Sequence, residues 1–106
     1  MVKKDSMVKH IVMWKLHEFA DGHTKAENAL RIKKALEALK DKIGAIASLE
    51  VGINHTSREC AYDVVLYSEF NSFDDLDAYQ NHEAHIALKG FLKDLRAGRV
   101  FVDYEV

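Results

Sequence analysis

The sequence predicts an α+β domain whose elements run β-α-β-β-α-β, with a four-stranded antiparallel sheet covered on one face by two helices. Three observations predict it. Residues 8–19 alternate apolar and mixed positions with a period of two, the mark of a strand with one core face. Residues 24–43 carry an apolar stripe at helical spacing, bounded by a capping signal and a glycine. Two further strand patterns, a second helical region and a last strand then follow in that order.

In the first strand, Val8, His10, Val12, Trp14 and Leu16 form the apolar set, and Lys9, Ile11, Met13, Lys15 and His17 the mixed one. Asp21-Gly22 breaks the pattern. Thr24 and Glu27 make a capping box for the first helix, and Ala29, Ile32, Leu36, Leu39 and Ile43 form its stripe up to Gly44. The second strand spans 47–55, with Leu49, Val51 and Ile53 on one face. The third spans 61–70, where Tyr62, Val64 and Leu66 alternate with Asp63, Val65, Tyr67 and Glu69. Ser72 caps the second helical region, with Asp74 and Asp75 in its first turn. Its apolar spacing becomes irregular, which predicts a break near 80–84, and Gly98 is expected to end it. Residues 99–106 form the last strand, with Val100, Val102 and Tyr104 on one face.

This order is the ferredoxin-like split βαβ plan. The sheet face away from the helices is expected to carry Ile11, Met13, Val65 and Tyr67, together with Phe101. An apolar sheet face of that kind is unusual in a monomer, and a two-fold homodimer with sheets face to face is the simplest way to cover it. Met1 to Ser6 read as a flexible extension, and 7–106 as the domain.

The chain has 106 residues and a formal net charge of -2. No basic stripe stands out, which argues against a nucleic-acid partner. No apolar run approaches the length of a membrane span or a signal peptide, and the single cysteine, Cys60, fits a reducing compartment; a cytoplasmic protein is expected. The five glycines are isolated, so no phosphate-binding loop is present, and no nucleophile-elbow motif occurs. Neither a cofactor nor a metal is expected: His82 and His85 offer two ligands where a zinc site needs at least three.

Val8-Lys9-His10-Ile11-Val12 and the segment Asp77-Ala78-Tyr79-Gln80-Asn81-His82-Glu83-Ala84-His85, in this element order, resemble the stress-responsive dimeric α/β-barrel (Dabb) family over about residues 7–106. The resemblance implies a homodimer whose two sheets close a central barrel. The family includes plant heat-stable stress proteins, a plant polyketide cyclase (olivetolic acid cyclase), and many bacterial proteins of unassigned activity. It implies that Tyr79 and His85 are the acid–base pair of any such cyclase chemistry and that His10 lines the pocket. His82 matches the first His of the family's His-Pro-x-His, with Glu83 in place of the proline, and a further pocket His falls on Val64.

Two readings of these residues stay open. In the first, the chain is a small-ligand-binding or structural stress protein without turnover, and Tyr79, His82 and His85 pin an irregular helix to the sheet. In the second, it is a cofactor-free cyclase-like or monooxygenase-like enzyme acting on an aromatic or polyketide-like compound. His85 then takes a proton and Tyr79 polarises a carbonyl, in a pocket lined by His10, Val12, Trp14, Val64 and His82. A ring-sized cavity between helices and sheet favours the second reading. An interior filled by Trp14 and Phe91 favours the first.

Overall fold

The computed structural model describes residues 6–106. The expected extension falls on residues 1–5, which lie outside the described residues, and on Ser6. Met7 is already tied down: its N–H donates to the Val106 carbonyl at 3.3 Å, and the Val106 N–H donates back at 3.0 Å.

The elements are β1 (Val8–Leu16), β2 (Phe19–Ala20), β3 (His23–Thr24), α1 (Lys25–Glu37), α2 (Leu39–Lys42), β4 (Ser48–Ile53), β5 (Val64–Phe70), α3 (Phe73–Asn81), α4 (Glu83–Lys93) and β6 (Arg96–Glu105). The main sheet has the order β4-β5-β1-β6 with every neighbour antiparallel. That is the ferredoxin-like arrangement. The additional β2-β3 pair is a hairpin closed by Asp21 (φ 52) and Gly22 (φ 76). Two consecutive left-handed residues make the tight turn that matches strand twist, and Asp-Gly is a favoured pair for it. Buried Asn28 holds the hairpin to α1, donating to the Ala20 carbonyl at 3.0 Å.

The core forms where the alternation of β1 meets the helix stripes. Val8, Val12, Trp14 and Leu16 pack with Ala29, Ile32 and Leu36 of α1, Leu76 and Tyr79 of α3, and Leu88 and Leu92 of α4. Thr24 and Glu27 form the expected capping box at the start of α1. The helical stretch 24–43 is interrupted at Ala38, yet Leu39 and Ile43 stay buried because α2 continues nearly in phase. The second helical region breaks at His82, inside the expected window.

Two expectations are corrected. Gly98 does not end the helical region; α4 stops at Lys93, and Gly98 lies within β6 opposite Lys15. Phe101 lies on the helix face, not the open one. It pairs with Val12, and residues directly paired across a ladder share a face. The open face carries Ile11, Met13, Val65 and Tyr67 and also Val100, Val102 and Tyr104. The register sets Met13 between Val65 and Val100, and Ile11 between Tyr67 and Val102. Val102, for example, is 50% exposed in the isolated chain.

Candidate functional site

The site begins with the break between α3 and α4. His82 adopts an extended backbone (φ -69, ψ 139), which ends α3 and restarts the chain as the N-cap of α4. In one unbroken helix, positions 79 and 85 would lie about 120° apart around the axis. The extended residue resets that phase and brings the His85 ring to 4.5 Å from the Tyr79 ring, centroid to centroid. His82 itself does not enter the cavity described below. Its Nδ1 accepts the Ala84 N–H at 3.0 Å, so the ring is committed to capping its own helix.

Tyr79 is the hinge of the cluster. It is 1% exposed, and its ring contacts Phe70 at 5.1 Å and His10 at 6.0 Å. Its hydroxyl has no hydrogen-bond partner among the described residues, yet no buried side-chain nitrogen or oxygen among them lacks one. The hydroxyl therefore opens to the cavity. Burial pushes the phenol up to about 12, against a smaller opposing pull from Arg99. At neutral pH it is a neutral O–H that donates readily and ionises poorly.

The two histidines are each oriented by an acceptor. His85 Nδ1 lies 3.1 Å from the Gln80 carbonyl, which can only accept, so Nδ1 carries the proton. Burial, the largest influence, holds His85 below the ordinary histidine value, and the charges of Lys89 and Arg99 add to it. It is neutral at pH 7, with Nε2 as its basic atom. His10 is 1% exposed and its Nδ1 donates to Oδ1 of Asp103, its register partner on β6. Its basic atom is likewise Nε2. A carboxylate that fixes the tautomer of a buried imidazole is the orienting device of acid–base sites.

These groups line a cavity of about 380 Å³ between sheet and helices, with His10, Val12, Trp14, Tyr79 and His85 all in its wall. It can hold one ring with short substituents. Leu36, Leu66, Leu88 and Leu92 supply further apolar wall, and basic side chains stand at its entrance. Trp14 is a wall and does not fill the space, while Phe91 packs beneath the Arg31 guanidinium at 5.3 Å. Val64 is buried but lies off the cavity, between Trp14 and Ile53 on the neighbouring strands. Among the described residues, no cluster of three or more His, Cys, Asp or Glu is placed to hold a metal ion.

Sequence reasoning missed Asp103 and Arg99. Both belong to β6, whose parity is hidden by the run Val100-Phe101-Val102, apolar at every position. Pairing His10 with position 103 would have found Asp103, but that register is a long-range fact.

The geometry can be set beside known proteins. A dimeric ferredoxin-like protein of unknown function from Bacteroides fragilis is 39% identical, covering 94% of this chain and 96% of its own, with a TM-score of 0.83. A dimeric ferredoxin-like protein from Thermobifida fusca is 21% identical, covering 100% and 96%, with a TM-score of 0.81. Hydroxynitrile lyase from Passiflora edulis shares the fold at 15% identity, covering 97% and 95%, with a TM-score of 0.76. No curated protein matches the chain. The model of the stress-responsive A/B barrel domain matches residues 8–106, and with that span and the Bacteroides relative the chain belongs to the Dabb family.

Proposed function

We propose that the protein is a homodimer that binds a small aromatic or polyketide-like carbonyl compound in each cavity and is equipped for cofactor-free proton transfer there. The observation that carries the reading is the convergence of a neutral phenol, open to the cavity, with two histidines whose Nδ1 atoms are both engaged by acceptors. His85 Nε2 takes a proton from carbon beside a carbonyl, and the Tyr79 O–H donates to the oxygen that gains charge. His10, fixed by Asp103, is the second base of the pocket. The dimer is supported by the open apolar face and by relatives described as dimeric. No helix of the structure is long and apolar enough to cross a membrane. The free, exposed thiol of Cys60 supports a cytoplasmic location.

A second reading, a ligand-binding stress protein without turnover, is favoured by one feature. His82 and His85 each make a local bond that holds the helix break. The two readings separate in one experiment. Aryl ketones and phenolic β-dicarbonyls are incubated with the protein in D₂O, and α-C–H exchange is followed by proton NMR. Exchange accelerated by wild type and lost in Tyr79→Phe/His85→Ala supports catalysis. Saturable binding without exchange supports the second reading. No binding by any compound removes the pocket from the account.

A further inference from the structure

The entrance to the cavity is built from cations. Lys89 and Lys93 stand one turn apart on α4, and Arg96 and Arg99 lie on the first half of β6. All four line the cavity, and no carboxylate does. None of them forms an ion pair with a described residue, whereas the other pairs of the surface are made elsewhere. Asp103, the nearest acid in the register, is already engaged by His10. The chain as a whole carries a formal charge of -2, so four cations without an ion-pair partner among the described residues, around one opening, are a local feature. The Arg99 guanidinium lies over the Phe101 ring, 4.8 Å from its centroid, close enough for its charge to act on both Tyr79 and His85. Between the two lysines sits Gly90, where an added Cβ would meet nothing within 4 Å; the helix leaves the entrance open there.

We infer that the natural occupant is an amphipathic organic anion. Its ring or apolar body lies in the cavity against Trp14 and Leu92, and its carboxylate or phosphate sits at the entrance on Arg99 and the two lysines. The inference rests on the pocket reading above and names the class of its ligand. The physical case is one of mutual need. Like charges gathered at a partly enclosed opening repel one another, and an anion seated among them relieves the repulsion while gaining charge-assisted hydrogen bonds. An apolar cavity behind the cations supplies the rest of the affinity and selects against bare inorganic anions.

The test uses cinnamate, its neutral isostere cinnamamide, phenyl phosphate and inorganic phosphate, with binding followed by calorimetry. Cinnamate is expected to bind at least tenfold more tightly than cinnamamide, and the gap to narrow as salt is raised. Inorganic phosphate is expected to bind far more weakly than either aromatic anion. If phenyl phosphate outbinds cinnamate, the headgroup is a phosphate; if the order is reversed, it is a carboxylate. Lys89→Gln/Lys93→Gln should lose most of the preference while keeping cinnamamide binding, and should leave the free protein as stable as wild type or more so. Gly90→Leu should block all aromatic probes. Equal binding of cinnamate and cinnamamide, both blocked by Gly90→Leu, overturns the anion inference and leaves the pocket standing. Failure of every aromatic probe overturns both. Retention of the full preference in the lysine double variant also overturns the inference.

Discussion

Two substitutions at Tyr79 separate its ring from its hydroxyl. The ring is buried at 1% exposure and packs against Phe70 at 5.1 Å and His85 at 4.5 Å. Tyr79→Ala removes that packing and should cost about 3–5 kcal/mol, the range for deleting a buried aromatic. Tyr79→Phe keeps the ring and removes only an O–H that bonds to no described residue. It should change stability by no more than about 0.5 kcal/mol. For a domain near this size, one kcal/mol moves Tm by about 4–8 °C. The phenylalanine variant should therefore melt within a few degrees of wild type, and the alanine variant far below it, by calorimetry or circular dichroism at matched protein concentration. Ligand binding or proton exchange should fall in both. A loss of about 1 kcal/mol or more in Tyr79→Phe would show that the hydroxyl holds a structural hydrogen bond of ordinary strength, and the reasoning that opens it to the cavity would be wrong.

Other perturbations bear on separate parts of the structure. Met13→Asp or Val102→Asp places a charge on the open sheet face and should split or unfold the dimer, read by light scattering; a folded wild-type monomer at micromolar concentration would refute the barrel assembly. Asp103→Ala leaves the His10 Nδ1–H buried without its acceptor and should cost about 1–3 kcal/mol; Asp103→Asn keeps an acceptor and should recover most of it in the same melting assay. His85 sits below its ordinary value when folded, so the unfolded chain binds its proton more tightly. Stability should then fall as pH drops below the ordinary histidine value of about 6.5 toward the lowered folded value. His85→Asn should flatten that part of the profile, and an unchanged slope between about pH 7 and about pH 5 would contradict the buried neutral imidazole.

What was legible in the sequence was local. The β1 alternation fixes which face His10 and Trp14 occupy, because a period of two leaves one choice once Val8, Val12 and Leu16 need burial. The helix break was legible because the apolar stripe that begins at Phe73, Leu76 and Tyr79 loses its phase before Ile86. That His82 would spend its ring on a cap was not, since a histidine at an N-cap looks in sequence like any other polar residue. The role of Asp103 and the side taken by Phe101 depend on how β6 registers with β1, some ninety positions away. A strand apolar on both parities gives no local clue to that register. The cationic entrance was hidden for a related reason: Lys89 and Lys93 read as an exposed helix face until β6 sets Arg96 and Arg99 beside them.

Both pocket histidines hold Nδ1–H toward an acceptor, which leaves Nε2 to meet a ligand. Side-chain ¹⁵N chemical shifts of His10 and His85, recorded at neutral to mildly alkaline pH and assigned with His10→Gln and His85→Asn, test this most directly. The proton is expected on Nδ1 of both rings, with the His85 ring neutral, and both Nε2 signals are expected to move when a ligand fills the cavity. Nδ1 without a proton in either ring, or Nε2 signals unmoved by a ligand that demonstrably binds, would contradict this.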